Sequence, residues 1–209
     1  MAPRNKFTKE EMTEAALRVV RSRGIGALTA KTLAKELGAS TQPVFTCFGS
    51  MEAVKEAVYA AAQAVYDGYA AIGLSESVPF FGFGMQYLRF AREEPELYRL
   101  LFLTPPSGEG KPCGAFAAMA HFQALVRPSL ERIYRLTAPE ADRYFRDLWL
   151  VVHSLATLIV TESCPYSEQE TGRILTGFSV SLCKAIKEIP GFAVDAFDRD
   201  SVFQELVKQ

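Results

Sequence analysis

Apolar and polar positions follow a helical spacing between residues 28 and 48. Leu33, Ala34 and Leu37 lie at positions i, i+1 and i+4, so they share one face of a helix. Gly38 follows this face directly, and a glycine at that place indicates the left-handed residue that ends a helix. More apolar positions with helical spacing come after it. The pattern therefore predicts a helix, a glycine turn and a second short helix, which together form a helix-turn-helix.

The second helix of this unit is predicted to begin after Ser40, whose hydroxyl is expected to cap it. Its polar side chains are expected to point outward and its apolar ones inward. The outward set is Thr41, Gln42 and Thr46, and the anchoring set is Val44, Phe45 and Phe48. Short polar side chains at the start of a recognition helix fit the major groove of duplex DNA, and Gln42 is the best candidate for reading adenine.

The rest of the chain is predicted to be helical, with no convincing strand, so the fold class is all-α. Three capping-box pairs mark helix starts: Thr8 with Glu11, Thr137 with Glu140, and Ser167 with Glu170. The predicted helices span about Lys9–Arg23, Met51–Ile72 after a Ser50 cap, Pro79–Glu93, a short stretch from Pro95, Cys113–Leu136, Pro139–Ser163 and Ser167–Ile189. Pro128 is expected to kink or split its helix, residues 104–112 are expected to form a loop, and residues 190–209 to add one or two amphipathic turns.

Composition narrows the class of protein. The chain has 209 residues, of which 49% are hydrophobic, enough for a full core in one or two domains. No apolar run reaches the roughly 18 residues of a membrane span, and the start lacks a secretory signal, so we expect a cytoplasmic protein without a membrane partner. The four cysteines and two histidines show no metal-ligand spacing, and no pattern of catalytic residues occurs. We therefore predict no metal, no cofactor and no enzymatic activity.

Charge is distributed unevenly although the net charge is −1. Residues 1–50 carry eight Lys and Arg against four acidic residues, so the basic part of the chain is the part with the helix-turn-helix. A cationic surface favours phosphate because it releases counterions, although a modest surplus also occurs on ordinary solvated helices.

The end of the predicted recognition helix resembles a known signature. Residues 45–52 read Phe-Thr-Cys-Phe-Gly-Ser-Met-Glu, which is similar to the aromatic, phenylalanine and serine-lysine-glutamate signature of TetR-type (tetracycline-repressor-like) transcriptional regulators. The block Leu148–Leu158 also resembles the tryptophan-histidine-glycine segment in the ligand-binding half of some members, with Ser154 in place of the glycine. The resemblance implies a DNA-binding domain over residues 1–50 and an effector-binding and dimerisation domain over residues 51–209.

The resemblance also implies the residues that contact double-stranded operator DNA. They are Arg4, Lys6, Thr29, Lys31, Ser40, Thr41, Gln42, Thr46 and Lys55. Two positions depart from the family pattern, because Phe45 stands where tyrosine is usual and Met51 where lysine is usual. Each departure removes a phosphate contact, which weakens binding more than it changes specificity. A TetR-like ligand- or protein-binding module with weakened or lost DNA binding is therefore the alternative.

A stripe of aromatic residues is the candidate effector site. Gly82 and Gly84 stand among these phenylalanines, which indicates room for a small hydrophobic or aromatic molecule. The predicted ligand-binding residues are Phe83, Gln86, Tyr87, Phe90, Phe102, Phe116, Phe122, Trp149 and His153. The alternative is a plain aromatic core, with His153 as a hydrogen-bonded core residue.

Two long helices near the C-terminus carry more apolar surface than one core face requires, which favours a homodimer with a four-helix interface. The predicted interface residues are Val151, Leu155, Leu158, Leu175, Phe178 and Leu182, with Gly172 and Gly177 permitting close helix approach. A dimer can read two half-sites about one helical turn apart or a multiple of it. The sequence thus predicts a regulator, of repressor type, whose effector shifts the helix that begins at Met51 and so releases the DNA.

Overall fold

A computed structural model of the protein describes residues 7–104 and 114–208, and within them every regular element is a helix. The all-α prediction is confirmed. The helices are α1 Lys9–Arg23, α2 Ala30–Glu36, α3 Gln42–Phe48, α4 Met51–Leu74, α5 Pro79–Glu93, α6 Pro95–Tyr98, α7 Gly114–Tyr134, α8 Ala138–Val160, α9 Glu168–Glu188 and α10 Arg199–Lys208. A π-helical turn, Arg99–Leu103, extends α6, and short 3-10 turns occupy Ile25–Ala27 and Phe192–Val194.

Caps set the limits of the first two helices. Thr8 and Glu11 form the predicted capping box of α1, and the helix ends at Gly24, whose φ of 76° suits a glycine. Helix α2 begins with a second box, formed by Thr29 and Thr32 through their hydroxyls. Gly38, at φ 61°, makes the left-handed turn that the sequence predicts between α2 and α3.

Two predictions about α3 are wrong. Ser40 does not cap it, because the helix begins one residue later with Thr41 at the cap position, and Thr41 makes no side-chain capping hydrogen bond. Phe45 does not anchor the helix, because 46% of its surface is exposed. Val44 is fully buried and Phe48 packs partly against the core, so these two residues hold α3 in place.

Helix α5 is the central element of the larger bundle and packs against α4 and α8. Helices α4 and α5 cross at two glycines: a Cβ at Gly73 would lie 2.6 Å from the backbone of Gly82. Gly84 faces the side chain of Leu175 on α9, which a Cβ would meet at 3.0 Å. The interpretation of Gly82 and Gly84 as room for a ligand is therefore wrong, because neighbouring helices fill the space beside them.

The long C-terminal helices lie close to their predicted bounds. Helix α7 runs through Pro128 without interruption, so the proline does not split it. The predicted loop falls on residues that lie outside the described ranges, apart from Thr104. One hydrophobic cluster extends from α1 to α9, so the helix-turn-helix and the bundle share a continuous core. None of the helices in the described residues is both long and apolar enough to cross a membrane.

Candidate functional site

Helix α3 presents a small polar face to solvent. Gln42 and Thr46, one turn apart, are both exposed, while Val44 between them is buried. The Thr46 hydroxyl donates to the Gln42 carbonyl at 3.0 Å, so its donor is already used in this structure. The carboxamide of Gln42 is thus the most prominent hydrogen-bonding group of this face.

The other predicted DNA contacts are spread around α3. Thr29, Lys31 and Ser40 are exposed and Thr41 is half-buried. The ammonium group of Lys55 contacts the carboxylate of Glu52 at 3.0 Å on the same helix. Arg4 and Lys6 lie outside the described residues.

The two positions that depart from the family pattern are apolar in different surroundings. The exposed ring of Phe45 adds an apolar patch to the solvent side of α3. Met51 is half-buried against the core at the start of α4. Neither side chain offers a hydrogen-bond donor to a phosphate.

A cluster of aromatic rings fills the interior of the bundle, with Tyr66 of α4 at its centre. The Tyr66 ring lies 5.2 Å from the rings of Phe90, Phe102 and Phe122 and 5.7 Å from that of Tyr87, mostly edge to face. These distances are those of favourable aromatic pairs. The cluster joins α4, α5, the π-helical turn and α7 into one packed unit.

Polar groups meet at one edge of this aromatic cluster. The hydroxyls of Tyr87 and Tyr98 each lie 2.9 Å from Nδ1 of His153, and the His153 ring stacks on Trp149 with centroids 4.8 Å apart. Burial lowers the pKa of His153 from its ordinary value of 6.5, so the ring is neutral at pH 7. A neutral ring nitrogen has either one lone pair or one proton to share, so the two hydroxyls compete for it.

Three buried polar atoms of the cluster region have no hydrogen-bond partner among the residues that the structure describes. They are the hydroxyl of Tyr66, Oε1 of Gln86 and Nε1 of Trp149. Burial raises the pKa of Tyr66 well above 10, so its hydroxyl stays protonated and remains a donor. Each unpartnered buried polar atom destabilises the folded state by about 1–3 kcal/mol. Three such atoms in one region therefore lower the stability of the protein considerably.

Most predicted ligand-binding residues lie in or beside this cluster. Phe83, Gln86, Tyr87, Phe90, Phe102, Phe122 and Trp149 are buried, and His153 is half-buried. Phe116 is exposed, and its ring centroid lies 6.4 Å from that of Trp149. A cavity of about 10 Å³ lies next to Phe83 and Trp149, so a ligand larger than water requires side chains to move.

The sequence reasoning missed two residues of the cluster, Tyr66 and Tyr98. Tyr66 continues the buried positions Val58 and Ala62 at intervals of four along α4, and this spacing marks it as inward-facing. Tyr98 lies five residues beyond the end of α5, where the sequence gives no spacing that joins it to Tyr87. Only the fold of α6 brings the two hydroxyls to the same histidine.

The predicted dimer residues divide into two groups. Leu155 and Leu175 are buried in the protomer's own core, which corrects their placement at the interface. Leu158 and Phe178 are exposed, and Val151 and Leu182 are half-buried. Gly172 faces Met85 of the same chain, so it serves packing within the protomer, while Gly177 faces open space.

Besides the shared core, a helix and an ion pair connect the helix-turn-helix to the bundle. Helix α4 runs from the end of α3 into the aromatic cluster. In addition, Arg21 of α1 makes a two-point ion pair with Glu94, which precedes α6, at 2.8 and 2.9 Å. Because α6 carries Tyr98, both connections end at residues of the cluster.

Within the described part of the chain, no three His, Cys, Asp or Glu side chains are close enough to hold a metal ion. The arrangement offers stacking surfaces and hydrogen bonds to an organic molecule.

Comparison with known proteins identifies the type of fold. Residues 80–175 match the family model of the tetracyclin repressor-like C-terminal domain. A TetR family member from Streptomyces coelicolor A3 is similar with a TM-score of 0.55 and 20% identity, over 81% of this chain and 96% of that one. The multidrug binding protein EbrR, solved with imidazole, is similar with a TM-score of 0.54 and 20% identity, over 81% and 88% of the two chains. No curated protein sequence matches significantly. Residues 80–175 thus resemble a tetracyclin repressor-like C-terminal domain, and the chain shares the all-helical fold of these two solved structures.

Proposed function

We propose that the protein is a ligand-responsive transcriptional regulator of the repressor type. It binds operator DNA as a homodimer and is released by a small hydrophobic or aromatic effector. The observation that carries the proposal is the position of α4, which begins directly after the candidate recognition helix and places Tyr66 at the centre of the aromatic cluster. The two candidate sites therefore share one rigid element.

The exposed face of α3 supports the DNA-binding half of the proposal. Gln42 has the two-point hydrogen-bonding geometry that suits an adenine edge in the major groove. Lys31 is exposed on the first turn of α2, from which a cation can contact the phosphate backbone. One short helix gives modest affinity, so two protomers on two half-sites are needed for tight binding.

The buried polar atoms support the effector half and define its chemistry. Tyr66 and Trp149 each hold an unused donor, and Gln86 holds an unused acceptor. An effector with a flat apolar body, a hydrogen-bond acceptor and a donor satisfies all three. The similar protein EbrR is named as multidrug binding, which fits a small-molecule site in this fold.

The transmission step follows from the length of α4. Tyr66 lies fifteen residues from Met51, about 22 Å along the helix axis. An effector that displaces the rings around Tyr66 tilts α4 and moves the attached α3 relative to its partner in the dimer. The effector must favour the shifted state by ~1–3 kcal/mol, which corresponds to a 5- to 150-fold loss of DNA affinity.

The proposal is tested by DNA binding of matched variants. Fluorescence anisotropy with DNA that flanks the protein's own gene is measured for the wild type, Gln42→Ala and Gln169→Ala. Gln169 is an exposed glutamine at the start of α9, far from α3 in the sequence, and it controls for the substitution itself. We expect Gln42→Ala to weaken specific binding by about 5- to 150-fold, and Gln169→Ala to leave it unchanged. Equal affinity of all three proteins contradicts a recognition role for α3.

A second candidate function is a ligand- or protein-binding module with weakened DNA binding. The apolar side chains of Phe45 and Met51 favour it, because they occupy two positions where the family resemblance implies phosphate contacts. The variant that combines Phe45→Tyr and Met51→Lys distinguishes the two functions. If that variant binds DNA while the wild type does not, the module is the correct reading; if both bind, the regulator is.

A further inference from the structure

The C-terminal helix α10 carries an apolar stripe that the described part of the chain leaves largely uncovered. Phe203, Leu206 and Val207 are 60%, 62% and 84% exposed, and they lie one turn apart on one side of the helix. The helix is nevertheless well started, because the Asp198 carboxylate accepts from the amides of Asp200 and Ser201 at 3.1 and 3.2 Å. A capped helix with an uncovered apolar stripe indicates a missing partner surface.

An open groove of matching character lies along α9. It encloses about 480 Å³, and its floor is formed by apolar groups of α5, α7 and α9. The lining includes Phe81, Tyr134, Val180 and Cys183. From Thr176 to Glu188 the groove follows α9 for about 18 Å, and the ten residues of α10 span about 15 Å. The helix therefore fits the length of the groove.

The segment between α9 and α10 packs against α8 and not beside the groove, so α10 starts away from the groove of its own protomer. Residues 192–195 are fixed to α8, because Arg143 pairs with Asp195 and lies over the Phe192 ring at 5.1 Å. The groove, in contrast, is lined by α5, α7 and α9. An element held apart from a complementary surface on its own chain can pair with the same surface on a second copy.

We propose that α10 of one protomer docks its apolar stripe into the α9 groove of a second copy, so that the two subunits exchange C-terminal helices. This inference rests on the proposed homodimer and adds to it a reciprocal pair of contacts outside the α8–α9 face. Each contact occurs twice under two-fold symmetry.

Cysteine trapping tests the exchange with the full chain. In a background where Cys47, Cys113 and Cys164 are serine, one copy carries Phe203→Cys with Cys183→Ser, and a differently tagged copy keeps Cys183. The two copies are mixed, allowed to exchange subunits and oxidised. We expect a covalent pair that carries both tags, because Cys183 lines the groove into which position 203 docks.

A matched control replaces Phe203→Cys by Ser201→Cys, on the opposite face of α10, and it is expected to give no covalent pair. Light scattering of the uncrosslinked protein separates the possible failures. A dimer that yields no mixed pair overturns the helix exchange and leaves the homodimer intact. A monomer overturns both.

A second variant measures what the exchange contributes. Phe203→Glu with Leu206→Glu changes only exposed side chains, so the protomer is expected to fold as before. We expect the dimer dissociation constant to rise by about 30-fold or more, the effect of losing one interface anchor. An unchanged dissociation constant contradicts the proposal.

Discussion

Replacing Tyr66 by phenylalanine is expected to stabilise the protein. The Tyr66 hydroxyl is fully buried and has no hydrogen-bond partner in residues 7–104 and 114–208, so on folding it loses its contact with water and gains no contact there in return. Such a group destabilises the folded state by about 1–3 kcal/mol. Removing the hydroxyl recovers this free energy, less the cost of the small void that it leaves. We therefore expect the free energy of unfolding to rise by about 1 kcal/mol or more. The same change is expected to weaken effector binding, because the effector is proposed to satisfy this donor.

Urea unfolding at pH 7 measures the difference, and Tyr144→Phe is the matched control. The Tyr144 hydroxyl is also buried but lies 2.5 Å from Ser179 Oγ, so its loss breaks a hydrogen bond. We expect Tyr144→Phe to lower the free energy of unfolding by about 0.5–1.5 kcal/mol, the usual net value of one hydrogen bond. The two tyrosine variants should thus differ in sign. If Tyr66→Phe is as destabilising as Tyr144→Phe, the reasoning about an unpartnered donor is refuted.

Three further predictions follow from particular contacts. Burial lowers the pKa of His153 below 6.5, so on acidification the unfolded chain protonates this imidazole before the folded chain does. The free energy of unfolding should therefore fall as the pH drops below about 6.5. In His153→Gln this part of the pH dependence should be absent from acid unfolding curves. Gly73→Ala should destabilise the protein by about 1–3 kcal/mol, because the added Cβ would lie 2.6 Å from the backbone of α5. Gly68→Ala, on the same helix but facing open space, should stabilise the protein by about 0.5–1 kcal/mol. Thermal unfolding measures both effects. A double-mutant cycle on Arg21 and Glu94 should give a coupling of about 1 kcal/mol that declines at high salt, and a coupling of zero contradicts their role as a connection between α1 and α6.

Local chemistry explains why several helix limits could be predicted from the sequence. The capping boxes at Thr8 and Thr137 and the glycine turns at Gly24 and Gly38 depend on residues within one turn of each other. The start of α2 was harder to predict, because Thr32 replaces the usual carboxylate of a capping box with a hydroxyl. Signals of this range need no knowledge of the tertiary fold.

Contacts between distant segments could not be predicted in the same way. Gly82 and Gly84 are next to phenylalanines in the sequence, but their function depends on α4 and α9, which press against them in space. The exposure of Phe45 depends on how α3 rotates against α1 and α4. The convergence of Tyr87 and Tyr98 on His153 joins residues up to 66 positions apart. Periodicity gives the face of a helix but not the neighbour that this face meets.

The coupling between the aromatic cluster and DNA is tested most directly by following both in one sample. Trp149 is the only tryptophan, so its fluorescence reports the ring stacked on His153, while the anisotropy of labelled DNA reports binding. Hydrophobic and aromatic compounds are titrated into the protein–DNA complex. We expect compounds that change Trp149 fluorescence to lower DNA affinity by about 5- to 150-fold, and DNA to lower the affinity for each compound by the same factor. If a compound saturates the Trp149 signal while DNA affinity stays constant, the aromatic cluster is not coupled to DNA binding.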